Sequence, residues 1–116
     1  MVVVQLSDDE VDRLFHALAD PTRRDIVRRA IGGEHSVSEL ARSYPISLTA
    51  VQKHVAVLEE AGLVVKRRNG REQIVLGQHE GLQRAQRLLD EYEQLWHGRF
   101  ERMAELLDED SSGGTT

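Results

Sequence analysis

Three side chains in the stretch SLTAVQKHVAVLEEAGLV, residues 47–64, carry hydrogen-bonding chemistry at helical spacing: the Thr49 hydroxyl, the Gln52 amide and the Lys53 ammonium. Residues three and four apart share one side of a helix, so the three form a compact polar patch. An amide both donates and accepts and matches an adenine edge, a threonine methyl touches a thymine methyl, and a lysine reaches guanine or phosphate. With Val51 at the centre of a buried face, Val55 and Leu58 fall within about 40° of it and His54 at about 60°, at 100° per residue. Thr49, Gln52, Lys53, Ala56 and Glu60 fall opposite. The acids come only at Glu59 and Glu60, so the front of the outer face is neutral or basic. Polar residues on a solvated face need no explanation one by one; their combination with a strongly basic neighbouring segment does.

That segment lies immediately C-terminal to the helix. The runs LVVKRR and EQIVL are rich in β-branched residues and are separated by Asn69-Gly70-Arg71, the strongest short hairpin signal. Lys66, Arg67, Arg68 and Arg71 ride on that hairpin. Arginine suits a narrow minor groove, since its guanidinium is weakly hydrated and donates as a fork. The net charge of −5 conceals this local excess. Residues 1–20 hold one Arg against five acids, residues 21–78 ten Lys or Arg against six, and residues 79–116 four against nine. A basic middle therefore lies between acidic ends, and the local patch governs nucleic-acid binding more than the total does.

The elements that must hold these residues are well punctuated. Ser7 with Glu10 and Ser36 with Glu39 read as S-x-x-E capping boxes, and Asp20-Pro21 as an N-cap followed by proline at the first helical position. Gly32-Gly33 closes the second helix, Tyr44-Pro45-Ile46 makes a tight turn, Ser47 caps the polar helix and Gly62 ends it in the left-handed conformation. From about Glu80 to Asp108 one long helix is predicted. Leu82, Ala85, Leu89, Tyr92, Trp96, Met103 and Leu106 follow a heptad pattern interrupted at Arg99, widened by Leu88, Leu95, Phe100 and Leu107. Three of the five aromatics lie within nine residues of it. A helix of about 40 Å outruns what so small a domain can cover, so a second copy of the chain is expected against it.

These features add up to a mainly α fold with a β-hairpin wing: a winged helix-turn-helix with a long C-terminal dimerisation helix. One domain is expected over residues 1–108, with dimerisation through 80–108 and a disordered tail over 109–116. A two-fold dimer would set two recognition helices one DNA turn, about 34 Å, apart.

The segments LFHALADPTRRDIV and SVSELARSYPISLTAVQKHVAVLEEAGLVVKRRNGRE, with the long helix after them, resemble the ArsR family of bacterial winged-helix repressors, from about Leu14 to Leu107. The resemblance implies a homodimer that binds a near-palindromic DNA operator and usually represses. Its recognition-helix pattern falls on Ser47, Ala50, Val51, Gln52, His54 and Val55. Gln52 stands where the pattern commonly has serine, and Val55 where leucine is usual; the first bears on operator sequence, the second is a conservative core change. Ser47, Thr49, Gln52, Lys53, His54, Arg42, Arg67, Arg68 and Arg71 are the expected DNA contacts, with Arg23 and Arg24 neutralising phosphates. Leu82, Leu89, Tyr92, Trp96 and Met103 are the expected dimer interface.

Other functions find less support. Cysteine is absent, which excludes disulfides and thiolate sites and fits a reducing cytoplasm. In relatives that sense arsenic, cadmium or lead, the cysteines lie in the helix corresponding to SELARSY, which has none here. Other relatives use Asp and His on the last helix; His79, Glu80, His97 and Glu101 do not reproduce a four-ligand set, so no metal effector or cofactor is expected. His16 and His35 read as surface or edge residues, and His54 as a packing or phosphate-contact residue. No nucleophile elbow, phosphate loop or convergent carboxylate pair points to an enzyme. MVVVQLSDDE lacks the basic start of a signal peptide, and no run approaches a membrane span. The alternative function is a winged-helix protein-interaction module that does not bind DNA.

Overall fold

The computed structural model describes residues 7–113, with side chains through residue 108. The tail expected over residues 109–116 and the opening residues 1–6 lie outside what it describes in full. In chain order the elements are α1 (Asp8–Leu18), α2 (Pro21–Gly32), β1 (His35–Ser36), α3 (Val37–Arg42), α4 (Leu48–Glu60), β2 (Val64–Asn69), β3 (Glu72–Gly77) and α5 (His79–Gly113). The chain forms two compact units, Met1–Ala85 and Gln86–Thr116, so the boundary falls inside α5.

Each of the first four helices begins at the capping residue expected of it. The hydroxyls of Ser7, Ser36 and Ser47 accept from the amides of Glu10, Glu39 and Ala50 at 3.2, 3.1 and 3.1 Å. Asp20 Oδ2 accepts from the Arg23 amide at 2.9 Å, with Pro21 at the first helical position. A cap of this kind stabilises a helix start by about 0.5–2 kcal/mol.

The apolar faces of these helices make one core in the first unit. Ile26, Leu40, Val51, Val55 and Leu58 are each at most 1% exposed and pack with Leu63, Val64 and Val75 from the strands. Burying a side chain of this size contributes about 1.5–3 kcal/mol. Ala85 belongs to this core and Leu82 packs half-buried against it. Leu82, expected at the dimer interface, is thus placed on the core of its own unit.

Two details depart from the sequence expectation. The hairpin is part of a three-stranded antiparallel sheet in the order β1-β3-β2. His35 pairs with Val75 and Ser36 with Ile74, which fastens the entrance of α3 to the wing. The hairpin loop is also shorter than the three residues expected. Asn69 still pairs with Glu72, leaving Gly70-Arg71 as the loop, and it is Gly70 that takes the positive φ of 66°. One positive φ at the first loop position is the pattern of a II′ turn.

Gly62 ends α4 at φ 74°, as expected. Its carbonyl then accepts from the Gly81 amide at 2.9 Å. A Cβ on Gly81 would sit 2.5 Å from the Gly62 oxygen and 2.8 Å from the Ala61 oxygen, both backbone atoms that cannot yield cheaply. A residue without a side chain therefore seats the first turn of α5 against the end of α4.

The second unit is the remainder of α5. Leu89, Tyr92, Leu95, Trp96, Phe100, Met103, Leu106 and Leu107 are all exposed, from 47 to 65%. The Trp96 and Phe100 rings stack with centroids 5.8 Å apart. Among the described residues, no helix is long and apolar enough to cross a membrane.

Candidate nucleic-acid interface

α3 and α4 are joined through Ser43–Ser47, and that turn is anchored to α2 by a polar network. The Tyr44 hydroxyl donates to Asp25 Oδ2 at 2.5 Å, and Arg29 Nε donates to the same oxygen at 2.9 Å. Arg29 Nη1 donates to Ser43 Oγ at 3.0 Å, and its guanidinium lies 5.4 Å from the Tyr44 ring centroid. The Tyr44 hydroxyl and then Arg29 hold the Asp25 carboxyl below the ordinary carboxylate range. Burial first, and then the Asp25 carboxylate, push the Tyr44 hydroxyl up to about 12. The pair therefore sits as carboxylate and neutral phenol across the neutral range, which lets each satisfy the other.

α4 divides as its pattern predicts. Val51, Val55 and Leu58 are fully buried, while Thr49, Gln52, Lys53 and Ala56 are exposed. Thr49, Gln52 and Lys53 have no hydrogen-bond or ion-pair partner among the described residues, so their polar atoms are available to a ligand. Ser47 is exposed too, but its oxygen is engaged by the helix cap. His54 is half-buried on the flank, with Nδ1 3.2 Å from Arg23 Nη1. The pattern overlooked Leu48, 46% exposed at the first helical position and one turn before Gln52. Its exposure at the front of α4 is the signal, because an apolar side chain there can touch a thymine methyl.

The basic residues separate into two groups. Arg42, Arg67 and Arg71 are exposed and have no partner among the described residues; Arg68 makes only a 3.4 Å contact from Nε to the Gly70 carbonyl. Lys66 pairs with Glu59 at 3.5 Å, tying β2 to the end of α4 and offsetting one of the late acids. Arg23, expected at phosphates, is instead committed inside the protein: Nε donates to Ala17 O at 2.8 Å and Nη2 to His16 O at 2.7 Å. Arg24 likewise donates to Leu18 O at 2.8 Å. The Ala17 and Leu18 carbonyls at the end of α1 have no backbone donor among the described residues, the His16 carbonyl also accepts from the Ala19 amide at 3.2 Å, and cations complement the negative end of the helix dipole.

Comparison with known proteins fits this geometry. A helix-turn-helix domain family matches residues 18–67. The chain is 39% identical over 97 residues to the HTH-type transcriptional regulator Rv2034 of Mycobacterium tuberculosis, covering 84% of this chain and 88% of that protein. It superposes on an ArsR-like transcriptional regulator from Rhodococcus sp. RHA1 with a TM-score of 0.77 at 29% identity, covering 87% of this chain and 93% of the other. The chain belongs to the ArsR family of transcriptional regulators. A further neighbour, a homodimeric winged helix-turn-helix DNA-binding domain from Mycobacterium bovis, superposes with a TM-score of 0.60 at 28% identity, covering 79% of this chain and 91% of that one.

His97 Nε2 lies 3.5 Å from Glu93, in the direction away from Glu101. Among the described residues no group of three or more His, Asp or Glu side chains could hold a metal ion.

Proposed function

We propose that the protein is a dimeric repressor that binds a near-palindromic DNA operator. The front of α4 enters the major groove, where Thr49, Gln52, Lys53 and Leu48 meet base edges. Ser47, His54, Arg42 and the wing arginines Arg67, Arg68 and Arg71 meet the backbone or the minor groove. The observation that carries this reading is the division of α4: one face completely buried, the other presenting unpartnered hydroxyl, amide and ammonium groups. The exposed Leu89, Tyr92, Trp96 and Met103 support self-association, because an apolar stripe of this extent on a helix marks an interaction face. Acting on operator DNA places the protein in the cytoplasm, and no catalytic step is assigned to it.

Selection of bound sequences from random DNA by the purified full chain tests the reading. The expected result is a palindromic consensus with half-site centres about one helical turn apart, and binding that weakens steeply as salt rises. Failure to enrich any sequence at low salt would overturn it and favour the winged-helix interaction module.

A further inference from the structure

Arg23 sits where three elements meet. Two arms of its guanidinium are fixed on the carbonyls of His16 and Ala17 at the end of α1. Its own backbone amide is fixed by Asp20 at the start of α2. The remaining nitrogen, Nη1, lies 3.2 Å from His54 Nδ1 on α4. A guanidinium has donors and no acceptor, so the direction of this bond has one solution: Nδ1 accepts. A neutral imidazole whose Nδ1 accepts carries its proton on Nε2. His54 Nε2 has no hydrogen-bond partner among the described residues, and no buried side-chain nitrogen or oxygen among them lacks one. Nε2–H is therefore open to solvent. Its place on the helix, between the buried face and the outward Gln52–Lys53 side, is that of a group facing the sugar-phosphate backbone rather than base edges.

We propose that Arg23 is a positioning residue that sets His54 as the Nε2–H tautomer, so that α4 presents an oriented, neutral N–H donor to a DNA phosphate. The proposal rests on the DNA-binding reading above. It assigns Arg23 a part in recognition without a DNA contact of its own. A neutral donor releases no counterion, and a cation already spent on protein carbonyls releases none either. Both residues should therefore change affinity at constant salt dependence, unlike a phosphate-bound arginine.

Nitrogen-detected NMR of the full chain without DNA reads the tautomer directly; Nε2 protonated and Nδ1 unprotonated is expected, and an Nδ1–H ring overturns the inference with no variant needed. DNA binding supplies the second arm. A glutamine amide nitrogen can occupy the place of Nε2 and an asparagine that of Nδ1. His54→Gln should thus keep affinity within about threefold, while His54→Asn should lose about tenfold. Arg23→Ala, verified as folded by thermal unfolding, should lose several-fold in the wild-type background and nothing further beside His54→Gln. In each variant the slope of log affinity against log salt should match wild type; a slope flattened by about 0.9 in Arg23→Ala would make Arg23 a phosphate contact and overturn the inference. If wild type binds no DNA, the donor role falls with the proposed function, and the tautomer measurement shows separately whether Arg23 sets the ring.

Discussion

Three of the four arginines of α2 and those of the wing are one residue type put to opposite uses. Arg23, Arg24 and Arg29 spend their donors on the end of α1, on His54, and on the Asp25–Tyr44–Ser43 network behind the helix-turn-helix. Arg67 and Arg71 on the wing, with Arg42 at the end of α3, spend none within the described residues. The first set ties elements of the motif to one another, and the second keeps its donors free among the described residues. The basic middle of the chain therefore overstates the charge available to DNA, because charge counts do not distinguish a cation that already has acceptors from one that does not. The two sets should separate in measurement: removing the first lowers stability, and removing the second lowers affinity and its salt dependence.

The largest effect is expected at Arg23. Arg23→Ala removes two charge-assisted bonds, to the His16 and Ala17 carbonyls, of which only His16 keeps a backbone donor, and should cost about 2–3 kcal/mol in chemical denaturation. A loss under about 0.5 kcal/mol would put Arg23 among the free cations and erase the distinction. Tyr44→Phe ranks second. It removes the phenol from Asp25 while Arg29 remains, so about 1 kcal/mol is expected, and it changes the pH profile of unfolding. Tyr44 is raised from 10.0 to about 12, so its contribution is complete below pH 10 and lost as pH rises toward 12. Asp25 is lowered from 3.8, so its contribution is present above that value and is lost as pH falls below it. The variant should flatten the alkaline limb, and an unchanged limb would show that the Tyr44–Asp25 bond does not form in solution.

How much of this was legible in the residues depended on how local the cause was. Ser7, Asp20, Ser36 and Ser47 each cap a helix through an amide three positions on, so a short stretch contains the whole interaction. The buried face of α4 and the positive φ of Gly62 were legible for the same reason. β1 was not: two residues have no period, and His35–Ser36 is a strand only because Val75 and Ile74 lie beside it. The fate of Arg23 and Arg24 was hidden because their acceptors are carbonyls six and seven residues back, brought within reach by the bend between α1 and α2. Gly81 looks like a weak point in a helix and is instead where one backbone crosses another. In the candidate site, the outward Thr49, Gln52 and Lys53 could be placed from the helical period, whereas His54's partner could not.

On the DNA side, Gln52→Ala should have the larger effect of two contrasting variants. An amide reading a base edge discriminates by about 1–3 kcal/mol, so the variant should relax operator preference at one or two positions of each half-site while affinity for random sequence stays nearly constant. A uniform loss over all sequences would move Gln52 from the bases to the backbone and remove the basis for placing α4 in the groove.

The smallest effect, and the most direct test of the contrast between the two arginine sets, belongs to Arg71→Ala. The loop position is exposed and lies just after the Gly70 turn, so stability should stay within about 0.5 kcal/mol of wild type. Affinity should fall by a similar factor for operator and random DNA, and the salt slope should flatten by about 0.9 for each Arg71 that engages a phosphate, twice that if both copies in a dimer do so. Arg23→Ala should leave the slope where it was. Titrations of both variants at several salt concentrations thus place the two arginines on separate axes, one of stability and one of counterion release. If Arg71→Ala left the slope unchanged while Arg23→Ala flattened it, the assignment of free and committed cations would be reversed.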